Sequence, residues 1–179
     1  MSSERKLSKE LWSGISTHTD RLAFLLLPTA FVALVAWSWR KWPDVLVDFG
    51  RELYVPWQLA NGKLLYTDIA YFNGPLSPWI NSILFRMFGV SLLTLVTANL
   101  LVLAIVAGML YYLVREISRP FTATVATLVF LTVFSVGQYM GQGNYNFVTP
   151  YSHEMTHGTA FSLAALVLLS VHVRRGGTQ

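Results

Sequence analysis

The side chains best suited to chemistry occur in two short segments, and the first is His153-Glu154-Met-Thr-His157. In zinc proteases this H-E-x-x-H spacing places two histidines on one face of a helix and supplies a glutamate as general base. A catalytic zinc also needs a third protein ligand, and His172 lies roughly 22 Å further along by helix rise. Three interpretations therefore stay open: a metalloprotease site, a looser site for a divalent cation or phosphate, and a polar helix cap with Ser152 as the N-cap residue.

The second segment is acidic. Asp48 and Glu52 are four residues apart, so a helix would present both carboxylates on one face. Partial desolvation at a membrane surface and mutual repulsion are expected to raise the pKa values of such a pair, and one of the carboxylates could then act as a general base. The alternative is that Arg51, Lys63 and water simply neutralise the two charges.

Several other kinds of chemistry are excluded by composition. The chain has no cysteine, which removes disulfides, thiolate catalysis and cysteine metal sites. The net charge of +4 is not gathered into a basic stripe, so we predict no nucleic-acid partner. Gly141-Gln-Gly143 has neither a preceding strand nor a following lysine, so it is not a phosphate-binding loop. We predict no nucleotide cofactor and no redox cofactor.

The elements that must position these residues are membrane helices. Of the 179 residues, 54% are hydrophobic and 12% are charged, against about 25% charged in a soluble domain. The apolar stretches are long enough to cross a bilayer and indicate an all-α, polytopic helix bundle. The predicted spans are 22–39, 91–114, 121–138 and 157–173, between tails at 1–21 and 176–179.

The polar residues fall in two loops, 40–90 and 139–156. Within the first loop, Asp44 and Gly62 are suitable ends for a helix over roughly 45–61. This helix is predicted to be amphipathic and to lie in the membrane surface, with one apolar face formed by Phe49, Leu53, Trp57 and Ala60. A second interfacial or re-entrant helix is predicted over 76–90.

Basic residues predict the orientation. The N-terminal tail has four, the turn at 115–119 has two and the end of the chain has two, whereas 139–156 has none. The positive-inside rule therefore predicts cytoplasmic termini and places both polar loops outside, although 40–90 has five basic residues of its own.

The run from Val47 to Leu76 resembles the first external loop of bacterial polyprenyl-phosphate-sugar glycosyltransferases. These enzymes belong to the C-type membrane glycosyltransferase superfamily, with the protein mannosyltransferases and the lipid A aminoarabinose transferase. The resemblance rests on D-x-G-x-x-L-Y from Asp48, G-K-x-L-Y-x-D from Gly62 and Gly-Pro-Leu before the second helix. The segment 146–154 is similar to a second-loop segment of the family, and the likeness covers about residues 20–175.

The resemblance implies a hexosyl or pentosyl transferase in the bacterial plasma membrane, with its N-terminus in the cytoplasm. It would transfer sugar from a polyprenyl-phosphate donor to a lipid, glycan or protein acceptor. Asp48 occupies the place of the catalytic base. The residues expected to bind substrate are Arg51, Glu52, Lys63, Tyr66, Asp68 and Tyr151. A divalent cation, Mg²⁺ or Mn²⁺, is expected near His153 and Glu154.

Members of that family are several hundred residues long, so the resemblance also predicts that these residues form the N-terminal part of a longer enzyme. Two alternatives remain: a non-catalytic membrane protein that keeps the fold, and an H-E-x-x-H metalloprotease.

Overall fold

The computed structural model describes residues 2–42, 49–136 and 146–176, with side chains from Asp20 onward in the first range. Across these ranges the chain is helical and contains no strand, as the sequence predicts. The helices are α1 (Ser2–Ser38), α2 (Gly50–Ala60), α3 (Leu76–Phe88), α4 (Leu92–Ile117), α5 (Pro120–Val129) and α6 (His153–Gly176), and a π-helical turn, Phe130–Ser135, continues α5.

Three helical segments are long and apolar enough to cross a membrane: Asp20–Ser38 within α1, α4 and α6. Large apolar side chains on these helices face outward, as Phe24 and Leu168 do, and this suits contact with lipid. The third predicted span, 121–138, corresponds to a shorter helical segment, since the 10 residues of α5 and the six of the π-helical turn cover about 24 Å. The predicted continuation to residue 138 lies outside the described residues.

The long helices form an up-and-down bundle in which α4 packs against α5 and α6, and α1 packs against α5. Leu103, Ala107 and Leu131 form its middle, with Leu27 and Phe31 of α1 against them. We call the end marked by Val96, Val136 and Val148 the site end.

The opposite end, which we call the far end, carries ion pairs. Arg115 at the end of α4 donates from Nε to Asp20 Oδ1 at 3.1 Å, and Tyr111 donates to the same oxygen at 2.9 Å. Arg174 near the end of α6 pairs with Glu116. The structure thus brings together the start of the first apolar segment, the end of α4 and the end of α6, which the basic residues had predicted to share one side.

Helices α2 and α3 lie together at the site end. Helix α2 begins at Gly50 with Phe49 as its N-cap residue, so the predicted start near 45, capped by Asp44, is wrong. Asp44 itself lies outside the described residues. The helix ends at Ala60, and Gly62 follows with a φ of 89°, as expected of a C-terminal glycine.

The apolar face of α2 differs from the prediction at one position. Phe49, Leu53 and Ala60 pack against Phe85 and Leu95. Trp57, however, is 43% exposed and its ring stands edge-on to Tyr54. The buried face also includes Val55, Pro56 and Leu59, which lie on the side of α2 that carries Glu52.

Helix α3 has 13 residues, about 20 Å, which is short of the hydrocarbon core of a bilayer. Arg86 Nη2 donates to the carbonyl oxygen of Leu59 at 2.9 Å and joins α3 to the last turn of α2. Because α2 also reaches the start of α6, α3 does not separate the two polar loops. The described parts of both loops lie at the site end.

Candidate active site

The centre of the candidate site is a buried contact between α2 and α6. Glu52 is 4% exposed and His153 is fully buried. Glu52 Oε2 lies 2.6 Å from His153 Nδ1 and accepts the His153 backbone N–H at 3.2 Å. Glu52 Oε1 accepts from Arg51 Nε at 3.1 Å and from Nη2 at 2.8 Å. Two residues that are 101 positions apart are thereby held together.

The start of α6 explains this contact. The sequence placed His153–Thr156 in the loop and began the span at 157, but the helix begins at His153. The first backbone N–H groups of a helix have no partner within it and attract negative charge. Glu52 supplies that charge to the His153 N–H. The interpretation of this segment as a polar start of the last helix therefore describes the backbone correctly.

The electrostatics of Glu52 contradict the expected raised pKa. Burial raises the pKa of its carboxyl, but the hydrogen bonds and electrostatic interaction with His153, together with the hydrogen bond from Arg51, outweigh burial, and the net pKa is lowered. The expectation considered repulsion from Asp48 and missed the contact with His153, whereas Arg51 stood in the alternative interpretation as a group that neutralises the charge. Glu52 is therefore ionised at neutral pH.

The loop before α6 is fixed by two asparagines. Asn146 Oδ1 accepts the backbone N–H groups of Val148 and Thr149 at 2.8 and 2.7 Å, which is a side-chain turn of the Asx kind. Asn99 of α4 donates from Nδ2 to the Val148 carbonyl oxygen at 3.0 Å in a buried contact. The loop thus delivers Tyr151 at a fixed position.

Arg51 connects this loop to α2. Its Nη2 donates to the Tyr151 carbonyl oxygen at 3.2 Å. The guanidinium carbon lies 5.5 Å from the Tyr151 ring centroid and 6.0 Å from that of Phe72, within the range of a cation–π contact. A cavity of about 170 Å³ adjoins Tyr151 and Ser152. Arg51, Glu52 and Tyr151, all predicted to bind substrate, are therefore brought together.

Glu154 belongs to the same site but faces other partners. Tyr71 donates its hydroxyl to Glu154 Oε1, and Ser152 donates its hydroxyl to Oε2. Burial and the bond to Glu154 raise the pKa of Tyr71 well above its usual value. Tyr71 is one of several aromatic residues in the loop after α2. Its pairing with Glu154 had no local signal.

The metal prediction is left open by this geometry. Within the described ranges, no group of three His, Cys, Asp or Glu side chains is arranged to hold a metal ion. Glu52 engages Nδ1 of His153, and Tyr71 and Ser152 engage both oxygens of Glu154. A Mg²⁺ or Mn²⁺ ion at His153 and Glu154 stays a prediction.

Three predicted substrate residues shape the loop after α2. Asp68 Oδ2 accepts the Leu64 backbone N–H at 2.8 Å, and Tyr66 donates its hydroxyl to the Asn73 carbonyl oxygen at 2.6 Å. In the part of the chain that the structure describes, these residues and the exposed Lys63 make no direct contact with Glu52. Tyr66 approaches the site through its ring contact with Tyr71, at 6.3 Å between centroids.

Asp48, the predicted base, lies outside the described residues. Gly50 begins α2 two residues later, and Glu52 follows four residues after Asp48 in the sequence. Comparisons with protein-family models, curated proteins and solved structures returned no match to this chain.

Proposed function

We propose that this chain carries out sugar transfer from a polyprenyl-phosphate-linked donor to an acceptor at the outer face of a membrane. The observation that carries the proposal is the convergence of two segments at one end of a membrane-length bundle. Residues 47–76 and 146–154 resemble the external loops of one glycosyltransferase superfamily, and the contacts Glu52–His153, Arg51–Tyr151 and Tyr71–Glu154 join them.

The position of the site suits a lipid-linked donor. The polyprenyl chain would lie in the bilayer, so its phosphate and sugar would be at the membrane surface, where α2 and α3 lie beside the spanning helices. The leaving phosphate carries negative charge and needs a fixed cation. Arg51 is our choice, because Glu52 and the Tyr151 carbonyl already orient its guanidinium. The exposed rings of Phe72 and Tyr151 supply flat apolar surfaces for a sugar.

Asp48 is the proposed base. Its carboxylate would take the proton from an acceptor hydroxyl as the hydroxyl oxygen forms a bond to the anomeric carbon. The bond from that carbon to the phosphate oxygen would break, polyprenyl phosphate would leave, and the configuration would invert. Glu52 suits a positioning role instead, because its pKa is lowered and both of its oxygens already accept hydrogen bonds from protein groups.

The proposed location is a bacterial plasma membrane, with the site end outside and the far end in the cytoplasm. Support comes from the grouping of Arg115 with the termini at the far end and from the absence of Lys and Arg in 139–156.

The test is transfer by membrane vesicles that contain the whole chain. The vesicles are supplied with a panel of radiolabelled undecaprenyl-phosphate hexoses and pentoses, and label is followed into lipid, glycan and protein fractions. Asp48→Asn should lower transfer at least about 100-fold, because general base catalysis contributes that much or more.

Asp44→Asn is the matched control. It makes the same chemical change four residues earlier in the sequence, at a residue with no assigned role in the reaction, so transfer should persist. Absence of transfer by the unaltered chain from every donor, or full transfer by Asp48→Asn, would overturn the proposal and favour a non-catalytic membrane protein.

A further inference from the structure

The two histidines of the H-E-x-x-H segment are both held through the same ring nitrogen. His153 Nδ1 lies 2.6 Å from Glu52 Oε2, and His157 Nδ1 lies 3.0 Å from the hydroxyl oxygen of Ser77. A metal-binding histidine commonly uses one nitrogen for the metal and the other for a hydrogen bond that fixes the ring. Here both rings are held by a contact at Nδ1, and the Nε2 atom of each ring is left for a metal.

The remaining nitrogens lack partners among the described residues. His153 Nε2 is buried and has no hydrogen bond, although buried polar atoms almost always have one. His157 is 7% exposed, and the one hydrogen bond of its side chain in these ranges is the Nδ1 contact with Ser77. The two ring centroids are 5.5 Å apart. Imidazoles that share a tetrahedral zinc through Zn–N bonds of about 2.1 Å have centroids roughly 5 Å apart.

A third unsatisfied group lies on α3, the helix that also carries Ser77. Asn81 Nδ2 is buried without a partner in the described part of the chain. Asn81 is one turn after Ser77, which touches His157, and one turn before Phe85. Phe85 packs on Phe49, whose ring lies 5.5 Å from that of His153. Asn81 therefore lies along α3 between the residue that contacts His157 and the residue that packs on Phe49 beside His153, and a half-turn of its amide would exchange the positions of Oδ1 and Nδ2.

We propose that His153 and His157 bind one divalent transition-metal ion through their Nε2 atoms. Imidazole ligands favour Zn²⁺, Co²⁺, Ni²⁺ or Cu²⁺ over Mg²⁺ and Mn²⁺, so this site differs from the predicted Mg²⁺ or Mn²⁺ site in its ligands and its metal. Water and the Asn81 amide oxygen would complete the coordination. The proposal does not depend on sugar transfer, and Glu154 has no part in it.

The test is titration of the untagged full chain in detergent with Co²⁺ alone, followed by its visible absorption and by competition with Zn²⁺. One ion should bind per chain. His157→Gln should abolish saturable binding. His172→Gln is the matched control: it makes the same change on α6, at an exposed position beyond the site, and binding should be unchanged.

Ser77→Ala separates metal binding from folding, because it removes only the hydroxyl that holds His157 Nδ1. It should weaken binding about tenfold while the helical circular dichroism stays unchanged. No saturable binding by the unaltered chain would overturn the proposal. So would binding that survives His157→Gln, or binding that is lost in His172→Gln.

Discussion

Glu52 is central to the electrostatics of the site. Its carboxylate is buried, accepts from both Arg51 and His153, and joins α2 to α6. Removing one member of a buried, hydrogen-bonded charge group leaves the others without compensation and costs more than the group contributes while intact. The side chain at position 52 therefore affects both the stability of the chain and the geometry of the site.

The pH dependence of stability follows from the lowered pKa of Glu52. A carboxyl whose pKa is lower in the folded chain contributes stability that is fully present above its unfolded value of 4.5. That stability is lost as the pH falls through the lower folded value. We expect unfolding in detergent to become easier as the pH falls below the unfolded value of 4.5 and through the lower folded value, and Glu52→Gln should reduce this slope. The measurement is a denaturant titration at each pH.

Glu116→Gln is the control for this experiment, because its partner Arg174 is 61% exposed and exposed pairs contribute little. Its acid slope should match that of the unaltered chain. Equal slopes for Glu52→Gln and the unaltered chain would contradict the prediction.

At the scale of elements, the joint between α4 and the loop before α6 sets the position of Tyr151 and His153. Asn99 supplies that joint through its bond to the Val148 carbonyl oxygen. Asn99→Leu keeps the size of the side chain but leaves that buried carbonyl without its donor. We expect a loss of about 2 kcal/mol in the free energy of unfolding, measured by denaturant titration, with faster amide exchange in 146–152.

Thr97→Val makes an uncharged substitution at an exposed position of the same helix, and it should change stability by less than about 0.5 kcal/mol. An equal loss for Thr97→Val and Asn99→Leu would show that Asn99 has no special role.

The helices were predictable from the sequence because hydrophobic length and missing charge are local properties. The ends of the helices were less predictable. Helix α6 starts at His153 because Glu52, far away in the sequence, meets its first N–H. The π-helical turn Phe130–Ser135 has no marker in its residue types. Its Ser135 carbonyl oxygen accepts the Phe147 N–H at 3.0 Å, a tertiary contact that no local pattern contains.

The residues of the site could be predicted from the sequence, but which of them contact each other could not. The acidic segment and the H-E-x-x-H segment were recognisable by residue type and spacing. That Arg51 and His153 would lower the pKa of Glu52, or that Tyr71 would engage Glu154, depends on which faces of α2 and α6 meet. The exposure of Trp57 was missed for the same reason.

At the scale of the whole molecule, a labelling experiment can test whether the site end and the far end lie on opposite sides of the membrane. The chain has no cysteine, so single cysteines report position cleanly. Thr67→Cys lies in the exposed loop of the site end, and Ile117→Cys lies at the 88% exposed last residue of α4, at the far end. A membrane-impermeant maleimide should label the first in intact cells and the second after permeabilisation. Labelling of both from the same side would contradict the proposed orientation.

The distance along the chain between Glu52 and His153 has a consequence for biosynthesis. A ribosome working at about 5–20 residues per second makes His153 roughly 5–20 s after Glu52. Throughout that interval the Glu52 carboxylate must remain hydrated or pair with Arg51 alone, while the spanning helices between Glu52 and His153 enter the bilayer. The pair therefore closes as a late event of membrane insertion, and its formation marks the moment at which the last helix has docked.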